Sequence, residues 1–495
     1  MPKAASSLDL TLNERPAGVP LTRWLREELR QAILDGRLRP GARLPATRDF
    51  ARQYGVSRGT TVTAFEQLQA EGYLRSQVGA GTFVDERLPQ HRPAAKRPPP
   101  VGRRLLAPLT GLTLFHTARP FRCYEPALAE FPVDIWARIA SRRLRQVSAA
   151  LLAGSGARGY APLREALAGY LGSSRGVNAT ADRIMIVSGV QQALDLLARL
   201  LIQPGDPVWM EDPGYFGATT AFRNAGARIV PVPVDEHGLS VSQGRRACRA
   251  AKGAYLTPAH QFPLGMTMPL ERRLALLAWA REAGAFLIED DYDSEYRFEG
   301  RPAPALQGLD KGGSAILVGS FNKLLFPALR LGYIVAPASL VDPLLALRFG
   351  TDHHAAGLDQ AILCDFIVEG HLGRHIRRMR ELYAARLAAL QEGGRKYLKG
   401  LLEISRVQAG LYTAGFLRNG MTSREAEEAA TRHNIESMGI DRFALRRTKV
   451  HGLVLGFAAF DEGRIRRGIQ GLAAALEPRS SVRRSEPPRP ISRMV

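Results

Sequence analysis

Only eight lysines occur in the 495-residue chain, and Lys323 differs from the other seven in its surroundings. It follows the strand-like run AILVGSF and precedes the apolar LLFPAL, whereas the others sit in polar, loop-like or tail-like contexts. Desolvation in such a place lowers a lysine pKa and favours imine chemistry. A lysine snorkelling from a core edge would look the same in isolation. A second candidate is AFLIEDDYD, with Asp290 and Tyr292 in D-x-Y spacing at the end of a strand-like run, where period two puts both side chains on one face. The clustered acids Glu289, Asp290, Asp291 and Asp293 also suggest a metal site, but no histidine lies nearby, and none is expected. The third is IVSGVQQALDLL, which sets Ser188, Gly189, Val190 and Gln191 at a strand-to-helix turn. Backbone amides hold phosphate at such turns, although a glycine there is common and weak evidence alone. Ser320, three residues before Lys323, and Arg330, seven after it, are further phosphate partners.

An amine for an imine, an acid for a pyridine nitrogen, a phenol for a ring hydroxyl, an aromatic stacker and a phosphate cradle are what pyridoxal 5'-phosphate (PLP) requires. The elements needed to position them are legible. RIMIVSG then VQQALDLLARLL, PVWMED then YFGATTAFRNAG, and AFLIEDDY then AILVGSF alternate strand-like and helical patterns. That alternation predicts a parallel or mostly parallel α/β sheet covered by helices on both faces. One long helical pattern runs from Gln360 to Leu390 and leads into a smaller α+β segment ending near Leu476.

The N-terminal part reads differently. Leu21, Leu25, Leu29, Ala32 and Ile33 recur on one helical face, and Gly36 and Pro40-Gly41 end that helix. A short helix from Thr47 to Tyr54 stops at Gly55. Ser57 then caps a helix reaching Glu71, with Val62, Phe65 and Leu68 as its buried stripe. This is helix-turn-helix spacing. Ser57, Arg58, Gly59 and Thr60 are left facing outward, where Arg suits guanine edges or phosphate and the hydroxyls suit phosphate. GYLRSQVGAGTFV predicts two short strands around a glycine-rich turn, a wing.

The expected organisation is an N-terminal tail (1–19), a winged helix (20–84), a Pro/Arg-rich linker (85–110), a PLP-binding domain (111–476) and a disordered basic tail (477–495). Net charge is +21, and 60 of the 68 basic residues are Arg, which reflects either an arginine-favouring genome or a polyanionic partner. Ten Arg oppose six acids between Leu21 and Val84, and six bases oppose two acids between Asp85 and Leu105. No apolar run approaches bilayer length and no signal-peptide core precedes Asp9, which argues against membrane and secretory roles. Three widely spaced cysteines without metal-ligand spacing fit a reduced cytoplasm.

LRPGARLPATRDFARQYGVSRGTTVTAFEQLQAEGYL followed by GAGTFV resembles the GntR-type winged helix over about 65 residues in unbroken order. The resemblance implies that Arg48, Arg58 and Thr60 touch double-stranded DNA and that the wing tip near Gly79 approaches the minor groove. Farther on, GYAPLREALAGYL, SGVQQALDL, MEDPGYFGATTAF, TPAHQFPLGMTM, IEDDYDSEYRF, GSFNKLLFPALRLGYIV and EGHLGRHIRRMRELYAARLAAL resemble fold-type I PLP aminotransferases. Their order is that of the MocR/GabR-type regulators, which join such a domain to a GntR-type winged helix. The resemblance implies that Lys323 is the Schiff-base lysine, that Asp290 meets the pyridine nitrogen and that Tyr292 meets the ring hydroxyl. It also implies Tyr215 stacked on the ring, Ser320, Arg330, Gly189, Val190 and Gln191 at the phosphate, and a head-to-tail homodimer.

Two departures stand out. Phe262 in HQFPLG replaces the Asn of the aminotransferase N-P-x-G turn, leaving His260 and Gln261 as nearby polar groups. In GLVLGFA the position of the usual carboxylate-clamping Arg is Val454, with Arg442, Arg446 and Arg447 as basic groups that could substitute. The leading expectation is therefore a PLP-dependent transcription regulator that senses an amine, an amino acid or PLP, with little or no transaminase turnover. The alternatives are a working aminotransferase with a DNA-binding arm, and a DNA-binding protein whose large domain only dimerises.

Overall fold

The computed structural model describes residues 10–16, 18–77, 80–86, 119–300, 304–447 and 450–477. The chain divides into two compact units, Met1–Thr113 and Leu114–Val495. The first unit packs helices α1 (Leu21–Leu34), α2 (Thr47–Gln53) and α3 (Arg58–Ala70) around Leu25, Leu29, Phe50, Phe65 and Leu68. Gly55, at φ +64°, makes the left-handed turn between α2 and α3. Strands β1 (Arg43–Leu44), β2 (Leu74–Gln77) and β3 (Gly81–Val84) form an antiparallel sheet in the order β1-β3-β2. The β2–β3 hairpin is the expected wing; its tip at Gly79 lies outside the described residues.

Two local expectations change. The buried stripe of α3 is Thr61, Ala64, Phe65 and Leu68, at helical i, i+3, i+4 and i+7 spacing. Val62, a full step round the helix from Thr61, is only half-buried. Part of the expected N-terminal tail is docked: Leu10 is buried in the core, and its carbonyl accepts the Tyr54 hydroxyl at 3.0 Å. The expected linker from residue 87 to 110, and the basic tail beyond Glu477, lie outside the described residues.

The second unit is built on an eight-stranded sheet. Its strands are β4 (Ile184–Val187), β5 (Pro207–Asp212), β6 (Arg228–Asp235), β7 (Gly238–Leu239), β8 (Gly253–Leu256), β9 (Phe286–Asp291), β10 (Ala315–Ser320) and β11 (Gly332–Val335). Their order is β4-β11-β10-β9-β8-β5-β6-β7. The run from β10 to β6 is parallel, while β11 and β7 are reversed against their neighbours, so the sheet is mostly parallel. Side chains alternate between two cores. Ile288 of β9 packs with Leu194 and Leu197 of helix Val190–Leu201, whereas Leu287 packs with Leu276 and Trp279 of helix Leu270–Ala283.

Beyond β11, the single helical pattern expected over 360–390 is two helices, Gly357–Val368 and His371–Tyr397. The break falls at Gly370, whose φ of +74° no α-helical residue adopts. A smaller antiparallel sheet follows: β12 (Leu402–Ile404), β13 (Tyr412–Leu417), β14 (Met438–Gly439) and β15 (Gly452–Gly456), ordered β12-β13-β15-β14. Helices Ser423–Arg432 and Glu462–Leu476 complete this α+β region.

Candidate functional site

Lys323 lies three residues past the end of β10. Its Nζ donates to the Tyr124 carbonyl at 2.6 Å and sits 4.9 Å from the centre of the Tyr124 ring. Burial pulls its pKa down from 10.5 to about 8, against the opposing charges of Asp293 and Glu125. A useful fraction of the amine is therefore neutral, and nucleophilic, near physiological pH.

Asp290 is buried on the face of β9 that also carries Ile288. Its Oδ2 accepts the Tyr255 hydroxyl at 2.7 Å, and its buried Oδ1 has no partner. Burial raises the Asp290 carboxyl to about 7, with the Tyr255 hydrogen bond opposing. An unpaired buried carboxylate oxygen is costly and asks for a donor or a cation. The neighbouring acids turn the other way: Glu289 meets Arg273 at 3.4 Å and Asp291 meets Arg175 at 2.7 Å. Tyr292 is committed to protein partners, donating to the His260 carbonyl at 2.7 Å and lying 2.5 Å from the Tyr412 hydroxyl. Burial holds its phenol well above 10.

The glycine turn has the form of an anion cradle. Gly189, at φ +103°, precedes helix Val190–Leu201, whose N-terminus has no side-chain cap. A β-carbon at Gly189 would lie 3.4 Å from Asn322 Nδ2 and 3.9 Å from the Arg330 guanidinium. The cradle thus gathers free helix amides, Asn322 and Arg330 at one point. Arg330 is itself left-handed at φ +52°, is exposed, and has no ion-pair partner among the described residues. Ser320 Oγ accepts the Asn322 amide at 3.1 Å, shaping the same turn. Gln191 Nε2 donates to the Gly217 carbonyl at 3.1 Å, and its Oε1 lies 3.4 Å from the Tyr215 hydroxyl. Gly217 gives the Tyr215 ring its place, since a β-carbon there would fall 2.5 Å from the ring. Burial raises the Tyr215 phenol to about 12; the carboxylate of Asp290 adds to this and Arg330 opposes it.

Sequence reasoning missed Tyr255, Asn322 and Tyr124. Tyr255 had a signal: a tyrosine inside the apolar GAYL strand must find its hydroxyl a partner. The Tyr124 contact spans 199 residues of sequence and had none. Phe262 is buried, edge-on to Tyr215 at 5.9 Å and to Phe443 at 4.9 Å. Gln261 Nε2 ties that turn to the carbonyls of Phe262 and Pro213. Val454 is fully buried among Cys123, Phe262, Tyr412 and Phe443. Of the basic residues near it in sequence, Arg442 pairs with Glu427, and Arg446 and Arg447 are exposed.

On the first unit, α2 and α3 present Arg48, Ser57, Arg58 and Gly59 to solvent, with Thr60 half-buried. Ser57 is the N-cap of α3, accepting the Thr60 amide at 3.0 Å and lying 2.8 Å from the Thr60 hydroxyl. The two hydroxyls therefore first satisfy each other and the helix end. Arg26, Arg30, Arg37, Arg52 and Arg75 form ion pairs, whereas Arg43, Arg48 and Arg58 form none among the described residues. Arg43, missed in the sequence, lies against the hairpin, 3.1 Å from where a Gly81 β-carbon would be. Among the described residues no helix is long and apolar enough to cross a membrane.

Residues 21–84 match the family described as bacterial regulatory proteins of the gntR family, and residues 135–450 match aminotransferase class I and II. The probable rhizopine catabolism regulatory protein MocR of Rhizobium meliloti is 39% identical, over 94% of this chain and 95% of its own length. The HTH-type transcriptional regulator TauR of Rhodobacter capsulatus is 34% identical, over 91% and 96%. Among solved structures, the kynurenine aminotransferase of Pyrococcus horikoshii superposes with a TM-score of 0.69 at 28% identity, covering 73% of this chain and 91% of that one. A GntR-type helix-turn-helix unit and an aminotransferase-like unit thus occur in one chain, in the arrangement its full-length relatives share, and the chain belongs to the MocR-type family of transcriptional regulators.

Proposed function

We propose that the aminotransferase-like unit holds PLP on Lys323 and senses an amine or amino acid, and that the protein acts in the cytoplasm as a head-to-tail homodimer on a double-stranded DNA operator. The observation that carries this reading is the unpaired Oδ1 of buried Asp290 in the same unit as the shifted amine of Lys323. PLP, when bound, supplies an electrophilic carbon and an electron-poor ring. Lys323 offers a neutral amine, and Asp290 Oδ1 is the acceptor for a protonated ring nitrogen. The Val190 amide, Ser320, Asn322 and Arg330 take the phosphate, with Gly189 giving it room and Gln191 steadying the Gly217 turn. Tyr215 supplies the stacking face and Tyr292 the phenol. Arg48, Arg58, Thr60 and the wing bind DNA, with Arg43 added from its place beside the hairpin.

Turnover is expected to be poor, because fixing the substrate carboxylate normally aligns the bond to be broken, and Val454 offers it no charge. The test mixes the PLP-loaded protein with glutamate, alanine, aspartate, GABA and taurine, while operator affinity is followed by fluorescence anisotropy. Changes in absorbance and operator affinity without sustained keto-acid release are expected. Sustained keto-acid production with an unchanged operator affinity would assign the chain to the working aminotransferases.

A further inference from the structure

The wall facing the Lys323 amine is made of aromatic rings. Tyr124 covers Nζ, its ring 5.3 Å from Phe262 and 5.7 Å from Tyr412. Tyr412 in turn lies 4.8 Å from His260, and Tyr215, Tyr292 and Val454 pack on the same cluster. The charges acting on these rings are mostly negative. Asp293 acts on Lys323, Tyr292 and Tyr412, Glu125 on Lys323, and Glu211 on Tyr412. Arg122, next in the chain to Cys123 and Tyr124, is held by Glu436 at 2.9 Å and Glu125 at 3.3 Å. Arg330 lies at the phosphate cradle. Two polar groups on the wall are unspent among the described residues: the Tyr124 hydroxyl and His260 Nε2 are each buried without a partner.

A carboxylate brought against this wall would lose its water and meet carboxylates and ring faces. Among the described residues Arg122 is already paired there and His260 is held by Asp293, so no lysine or arginine of the wall is left to pair it. An uncharged body would bury its carbon on the rings and satisfy the Tyr124 hydroxyl with a hydroxyl of its own. We infer that the effector is a primary amine that carries no carboxylate, its body neutral and aromatic or hydroxylated. This rests on the PLP reading proposed above.

Matched pairs differing only by the carboxylate test it: ethanolamine against serine, and tyramine against tyrosine. The PLP-loaded full-length protein is titrated with each, reading the absorbance change and the rise in melting temperature. Each decarboxylated member is expected to half-saturate at a concentration at least about tenfold lower than its amino acid. Val454→Arg is expected to narrow or invert that ratio, and Tyr124→Phe to weaken ethanolamine more than tyramine. An amino acid binding as tightly as its amine in both pairs would overturn the inference while leaving the PLP reading intact. Failure of the protein to develop any PLP absorbance would overturn the PLP reading, and the inference with it.

Discussion

Around Lys323 the titratable groups are enclosed and displaced from their ordinary values, Lys323 down to about 8 and Asp290 up to about 7. On α2 and α3 the arginines stand in water, and Arg48 and Arg58 have no ion-pair partner among the described residues. The two regions solve different physical problems. A small ligand gains from preorganised, desolvated groups whose cost is met by the scaffold. A long polyanion releases counterions on contact, so solvated cations serve it without any burial. Substitutions should therefore act locally and sharply in one region, and gradually and with salt dependence in the other.

The largest expected effect is at Lys323. Lys323→Ala should abolish covalent retention of PLP, and borohydride treatment of the native protein, followed by peptide mapping, should label Lys323 alone. Label on Lys311 or Lys252 would break the comparison, because both lie outside this enclosed setting. Asp290 comes next. A carboxyl raised from 3.8 to about 7 on folding makes the folded state bind the extra proton, so its contribution is complete below about pH 4 and is lost as pH rises through 7. Asp290→Asn removes that slope, and the cofactor-free variant should be more stable than wild type at pH 8, by about 4 kcal/mol at most. Denaturant midpoints at pH 4.5 and 8 would show it; parallel pH profiles for the two proteins would show that the carboxyl is not strained.

Smaller effects belong to the exposed region. Arg58→Ala and Arg48→Ala should each weaken operator binding by about 1–3 kcal/mol, with PLP absorbance unchanged. Affinity should also fall steeply as salt is raised, and each variant should show a shallower salt slope if its arginine meets phosphate. Salt-independent binding, or full affinity in both variants, would remove α2 and α3 from the interface.

The ease of reading these regions from sequence follows the same division. Helix-turn-helix spacing, the Ser57 cap and the βα glycine turn are local patterns, so short stretches of sequence disclose them. The D-x-Y spacing marks the end of β9, but period two does not carry Tyr292, which lies one residue past the strand and packs with Phe262 and Tyr412, whereas Asp290 shares the face of Ile288. The surroundings of Lys323 are not legible in the sequence: Tyr124 reaches it from 199 residues away. Tyr255 reaches Asp290 from 35 residues away, on the neighbouring strand β8. The apolar period of the 360–390 stretch passes through Gly370 and implies one helix, and only the backbone angle there reveals the break. Hydrophobicity alone does not choose between adjacent helical faces, which is why Val62 looks like core in the sequence while Thr61 takes that place in the structure.

Ser57 carries the smallest expected effect and the finest test of the comparison. Its Oγ accepts the Thr60 amide, so the residue is a cap first, although it stands at the outward start of α3 where a phosphate contact was expected. Loss of an N-cap hydroxyl costs about 1 kcal/mol, and glycine there costs only a few tenths. Ser57→Ala should therefore lower the stability of the first unit by about that amount, and Ser57→Gly by less. Aspartate separates the two roles, since it caps as well as serine but brings a negative charge to the surface. If α3 opens onto phosphate, Ser57→Asp should keep its stability and lose operator affinity at low salt, with the loss shrinking as salt screens the repulsion. Chemical denaturation and anisotropy titrations at two salt concentrations measure both quantities on one preparation. Undiminished affinity in the aspartate variant would mean that the start of α3 faces away from the backbone, and the DNA contacts would then have to be drawn from Arg43 and the wing.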